Sequence, residues 1–293
     1  MVMPLAVVVF LGIAWTIFWF VASSYASGAF TERRAELARA GVDISCARER
    51  WGGFPFRFEF ACAGAKLSWA GSTAIEIGSF EAVAQAYYPW HIILLVDGPT
   101  RLSLPSGLVF KGTHARALAS LVLRGSSEPE VTVELADVHV PETIDAASIV
   151  ISTRPEGSGL HGVAVSAMGL HHQRPGQPPL DIDVANLVGT LQPSRNLHVD
   201  NVALQAEAVT WSGTGDVTLD DRGRIAGTLH TQINDIDGLL ALIEPHIEMA
   251  DSQRQAFRSV LGLLGKDARA DIVAKDGELF IGPFKIADLL PLD

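Results

Sequence analysis

Two hydrophobic periods divide the chain. Residues 1–30 carry no charged side chain, and within them PLAVVVFLGIAWTIFWFVASSYA is almost unbroken apolar sequence. A run of about 20 such residues, wound as a helix, matches the hydrocarbon core of a bilayer. Trp15, Trp19 and Tyr25 lie toward its far end, where interfacial aromatics collect. Ser24 and Ala26 offer a small-residue cleavage site of the signal-peptide kind, yet the run exceeds the roughly 7 to 15 apolar residues of such a leader. Its length therefore favours a retained transmembrane anchor over residues 1–26. TERRAELARAG, rich in Ala, Leu, Glu and Arg, extends the helix as a stalk over 27–41, with Gly41 suited to the left-handed position beyond its end.

After Gly41 the period changes to two. VDISCARERW and FRFEFACAGAKLSW alternate, placing Phe56, Phe58, Phe60 and Cys62 on one face, and GGFP between them supplies a turn. Short alternating segments then follow one another to about Ile233, among them HIILLVDGP, EVTVELADVHV, LDIDVANLVGTL and GDVTLDDRGRIAGTLHTQI. Turn formers such as Asp97-Gly98-Pro99 and Asp221 to Gly223 separate them. This pattern predicts a mainly β, α+β chain: a large antiparallel sheet over residues 42–293, with one amphipathic helix near the C-terminus. That helix is predicted over 235–264, capped by Asn234 or Asp235, interrupted at Pro245 and stopped at Gly265. Ala250, Phe257, Val260, Leu261 and Leu264 form its apolar stripe, which needs a sheet or groove to cover it. ARADIVAKDGELFIGPFKI reads as a closing hairpin turning at Asp276-Gly277.

Cys46 and Cys62 are the only cysteines and bracket the glycine-proline turn. Folding the two strands back on each other brings them close, and a bridge there would form only in an oxidising space such as the periplasm. Two buried free thiols are the alternative, and the spacing is not that of a metal knuckle.

Charge narrows the partners. The formal net charge of −11 lies wholly beyond Phe30, which argues against nucleic acid and against electrostatic docking on anionic lipid. Arg33, Arg34 and Arg39 follow the apolar run and, by the positive-inside rule, would draw that flank to the cytoplasm. The cysteine pair argues for the opposite side, and the reading taken is a single-pass inner-membrane protein with the bulk of the chain in the periplasm.

Reactive constellations are sparse. There is no G-x-S-x-G elbow, and GTGD at Gly213 to Asp216 lacks the lysine of a phosphate loop. His171 and His172 are adjacent, so on an extended segment they point to opposite sides. Asp181 and Asp183 share a strand face, a geometry open to a carboxylate pair but usual for a wet face. No catalytic, metal or cofactor residue is assigned. The aromatic group Trp51, Phe54, Phe56, Phe58, Trp69, Tyr87, Tyr88 and Trp90 is where an apolar ligand would bind, core filling being the alternative.

The apolar amino-terminal segment, the Cys-bracketed GFPFRFEF block, AQAYYPWHIILLVDGP and the closing DGELFIGPFKIADLLPL together resemble the uncharacterised bacterial envelope family numbered 2125 among the domains of unknown function. The resemblance spans nearly the whole chain. It implies a Gram-negative envelope setting and brings no catalytic residues. Sheet, helix and closing hairpin also resemble the ends of AsmA-like envelope proteins, whose long sheets are thought to shelter lipid. The expected function is a non-enzymatic envelope binding or scaffolding module with a protein partner. Lipid or apolar-ligand binding is the alternative, and a hydrolase has least support.

Overall fold

A computed structural model describes residues 2–69, 73–104, 109–123, 128–141, 143–173, 177–194, 196–220, 223–246, 255 and 268–289. The chain falls into two compact units, Met1–Pro129 and Glu130–Asp293, a division within the 42–293 sheet that the strand pattern does not mark.

The first unit opens with one continuous helix, α1 (Val2–Arg39), so the apolar run and the stalk are a single rod. Gly41, at φ 85°, turns the chain into the sheet. Strands β1 (Val42–Gly52), β2 (Arg57–Trp69), β3 (Ala74–Gln85), β4 (Tyr88–Ser103) and β6 (Arg116–Val122) form an antiparallel sheet in that order. The short β5 (Val109–Gly112) pairs with the end of β4.

The second unit is again an antiparallel meander. β7 (Glu130–Val140), β8 (Ile144–Gly157), β9 (Leu160–His172), β10 (Leu180–Leu191), β11 (Leu197–Ala206), β12 (Val209–Leu219) and β13 (Ile225–Ile233) lie in chain order. A helix, α2 (Ile236–Ile243), and a 3-10 turn at Glu244–His246 follow. β14 (Ala268–Lys275), β15 (Glu278–Ile281) and β16 (Phe284–Asp288) complete the order. Asp276 and Gly277 both have positive φ, 57° and 82°, the conformation a two-residue hairpin of this kind requires.

Asp235 caps α2, its Oδ1 accepting from the Gly238 amide at 3.1 Å. Asn234 instead ties the helix entry to the preceding hairpin, accepting from the Thr210 amide at 2.7 Å. Ile236 and Leu240 of α2 are buried with Ile233 and Ile281 in a core cluster. Beyond His246 the helix predicted to 264, including Ala250, Phe257, Val260, Leu261 and Leu264, lies outside the described residues apart from Gln255, which is helical.

In each unit a line of residues missing from the ladders crosses the strands as a transverse seam. In the first unit the ladders skip Ala47, Gly64, Gly78 and Gly98 at one level. Gly64 sits at φ 61°, and a side chain on Gly78 would meet the Asp97 carbonyl at 3.0 Å. In the second unit Asp137, Ala147, Gly169 and Asp183 are skipped in the same way on four adjacent strands. At these levels one residue of each strand is left unpaired while the register is the same on either side, except between β3 and β4, where it shifts by one. The Cys46–Cys62 disulfide spans the first seam. The two cysteines are not register partners, since Cys46 faces Ala65 and Cys62 faces Glu49, yet their Cα atoms are 5.5 Å apart across the seam.

A candidate apolar binding site

The site grows from how α1 meets the sheet. Trp19 is only 5% exposed although it lies in the apolar run. Its indole N–H donates to the Arg57 carbonyl at 2.9 Å, and its ring stacks on Phe58 and meets Phe54 edge-on. One turn earlier Trp15 donates to the Pro55 carbonyl, also at 2.9 Å. Farther along, Phe30 packs against Trp51 and Phe60, and Arg34 pairs with Glu49. The helix is therefore clamped to the first hairpin at two levels, four helical turns apart.

Between the clamps α1 and the sheet leave a gap lined by small residues. Ala22 and Ala26 of α1 line it together with Ala82 and Ala84, which alternate along β3, and Ala86 just past the end of that strand. Small side chains on both walls leave a cavity of about 600 Å³, completed by Phe18, Tyr25, Phe58, Phe80, Ile92, Leu94 and their neighbours. No charged residue lines it. A volume within about 300 to 1,000 Å³ with apolar walls is typical of a small-molecule site.

A second cavity of about 370 Å³ lies in the second unit, beneath α2. Leu239 and Leu242 of the helix roof it over Trp211, Ile233, Ala270 and Ile272. Thr231 is its one polar residue, and the hydroxyl is occupied in a hydrogen bond to the Ala270 carbonyl at 2.5 Å.

The predicted aromatic group separates into three. Trp51 and Phe58 line the first cavity. Phe54, Phe56, Tyr87, Tyr88 and Trp90 are exposed at the hairpin tips. The Ala86 amide donates to the Phe56 carbonyl at 2.9 Å, locking those tips together. Trp69 ends β2 opposite Val42, at the other end of that strand from Phe58, and does not join the group.

The histidine and aspartate candidates take separate structural parts. His171 Nδ1 is 2.6 Å from Asp181, whereas His172 bonds the Thr143 carbonyl. Asp183 accepts from the Glu207 amide at 2.8 Å, holding a turn whose Glu207 has φ 50°. His139, Asp145, His171 and Asp181 are successive register partners on β7 to β10 and form an exposed alternating row. His198 pairs with Asp216, and His230 with Asp271, each at 2.9 Å. Hydrogen bonding to Asp181 and Asp216 raises the proton affinities of His171 and His198 above the ordinary imidazole value. Among the described residues no cluster of three or more His, Cys, Asp or Glu is placed to hold a metal ion.

Sequence reasoning missed the helix as a wall of the site. The signal was present in the small residues of α1 and β3, but only the clamp geometry brings them to one cavity. The His–Asp pairs were hidden for a related reason, since they depend on strand register.

The family model described as "Uncharacterized protein conserved in bacteria (DUF2125)" matches residues 19–289. No curated protein and no solved structure matches the chain. The matched span takes in the Trp19 clamp, the Cys46–Cys62 bridge and the lining of both cavities apart from Phe18, and the chain belongs to the DUF2125 family.

Proposed function

We propose that the protein is a single-pass membrane-anchored binding protein whose sheet shelters an apolar, lipid-like ligand on the periplasmic side of the inner membrane. The carrying observation is the uncharged, half-open cavity of about 600 Å³ lined by α1 and by β1 to β4. One wall of that cavity is the helix whose length and apolarity suit a membrane span, so a ligand leaving the bilayer would meet the site without crossing water. The disulfide supports the periplasmic placement, because such bridges persist in oxidising compartments. Of the basic flank, Arg34 pairs with Glu49 on β1, whereas Arg33 pairs with Glu36 on the helix itself. The role is read as binding rather than turnover, since the lining is apolar apart from the Tyr25 hydroxyl and brings no pair of reactive groups together.

Native mass spectrometry of the full-length chain released from detergent tests this. One acyl-lipid adduct per chain is expected, retained while the fold persists and lost in Ala84→Phe, which fills the cavity. A chain released without adduct, or an adduct unaffected by Ala84→Phe, would overturn the reading and leave a protein-scaffolding role in front.

A further inference from the structure

We propose that the tip end of the first unit's sheet is a membrane-insertion rim: Phe54, Phe56, Tyr87, Tyr88 and Trp90 enter the periplasmic leaflet of the bilayer that α1 crosses. The inference rests on α1 being a membrane span and adds a second, non-helical membrane contact.

The depth of the tips follows from two hydrogen bonds. Trp15 and Trp19 hold the Pro55 and Arg57 carbonyls against the helix, each at 2.9 Å. Residues 1–30 carry no charged side chain, and any stretch of about 20 residues within them, the length that spans a bilayer core, contains both Trp15 and Trp19. Both indoles therefore fall inside a hydrocarbon core of about 30 Å. A tip fixed at that level beside a bilayer-crossing helix must displace lipid.

The tip has the chemistry for it. Phe56 is 63% exposed and Tyr87 66%, and the other three aromatics are also solvent-facing. Gly53 to Phe56 and Ala86 to Trp90 contain no charged residue. Phe54 and Phe56 are wholly apolar, and the Tyr and Trp rings join an apolar body to a polar group that can reach toward the interface.

Turn backbone in lipid must also have its polar groups met. Here the Arg57 amide donates to the Gly53 carbonyl, and the Ala86 amide to the Phe56 carbonyl, both at 2.9 Å. The Pro55 and Arg57 carbonyls take the two indole donors. Arg57, paired with Glu59 at 2.7 Å and largely exposed, begins the strand that leads away from the tip, where a long cationic side chain can reach headgroup phosphate.

Site-directed spin labelling of the full-length protein in vesicles of phosphatidylethanolamine with a minor share of phosphatidylglycerol tests the rim. Nitroxides are placed at Phe56→Cys, Tyr87→Cys, the distant Lys66→Cys and the helix position Ile13→Cys, the native cysteines being bridged. The ratio of oxygen to nickel-chelate accessibility is expected to be several-fold higher at 56, 87 and 13 than at 66. A high ratio at 13 with values at 56 and 87 equal to that at 66 would overturn the rim while leaving the anchor intact. A low ratio at 13 would overturn the anchor reading and the rim with it. Trp90→Phe gives a label-free check: it should remove part of the intrinsic fluorescence quenched by brominated phospholipid, and an unchanged quenched fraction would count as refutation.

Discussion

The disulfide offers the sharpest stability test, through the double variant Cys46→Ala/Cys62→Ala. The bridged residues are 16 apart in sequence, closing a loop of about 15 residues. The chain-entropy relation assigns such a loop about 3 kcal/mol, through restriction of the unfolded chain. Alanine is chosen because Cys62 is 1% exposed, and serine would add a buried hydroxyl with its own cost. For a unit of this size, about 2 to 8 °C accompanies each kcal/mol, so the melting temperature should fall by on the order of 10 °C. Five of the six tryptophans (Trp15, Trp19, Trp51, Trp69 and Trp90) lie in the first unit, so intrinsic fluorescence follows its unfolding. Reducing the wild type should reproduce the fall, and the double variant should ignore reductant. If wild-type protein from its native membrane carries two free thiols, or if reductant leaves its melting temperature unmoved, the stapling argument and the periplasmic placement built on it both fail.

Three further outcomes follow from the geometry. Gly64→Ala should lose about 1 to 2 kcal/mol by forcing a Cβ into a left-handed position, its Cβ lying 3.0 Å from that of Ala47; denaturant titration reads the loss, and unchanged stability would mean the seam is not held at φ 61°. His171 and His198 hold their protons more tightly when folded than the ordinary imidazole value of 6.5, chiefly through Asp181 and Asp216. Their contribution is therefore full below pH 6.5 and is lost as pH rises through the folded values; Asp181→Asn with Asp216→Asn should flatten the fall in melting temperature above pH 6.5, and an unaltered profile would exclude these pairs. Trp19→Phe keeps the ring but removes the bond to the Arg57 carbonyl, at a cost of about 1 kcal/mol; limited proteolysis within Gly53 to Phe56 should quicken, and an unchanged rate would show that the clamp does not hold the turn.

Much of this architecture is legible in the sequence because it rests on local rules. Period-two alternation and turn residues mark the strands, Asp276-Gly277 marks its hairpin, and charge-free apolar length marks α1. What stays hidden is what depends on partners far along the chain. Nothing local says that Ala22 and Ala26 line one cavity with Ala82 and Ala84, or that Trp19 leaves the lipid-facing set to hold a β-turn. Trp69 illustrates the converse, since it is close in sequence to the aromatic group but sits at the other end of its strand. The disulfide was legible as a pairing, while its diagonal course crosses the level at which the ladder skips Ala47 and Gly64.

Within each unit nearly every strand hydrogen-bonds to its immediate predecessor in the chain. A polypeptide synthesised amino end first would then need no late-arriving segment to begin assembling. Each emerging hairpin finds its template already in place, and the loop-closure cost that slows sheets with distant pairings stays small. Growth of this kind leaves one open edge at every moment, which makes the interval between successive strands the period of greatest exposure to misassembly.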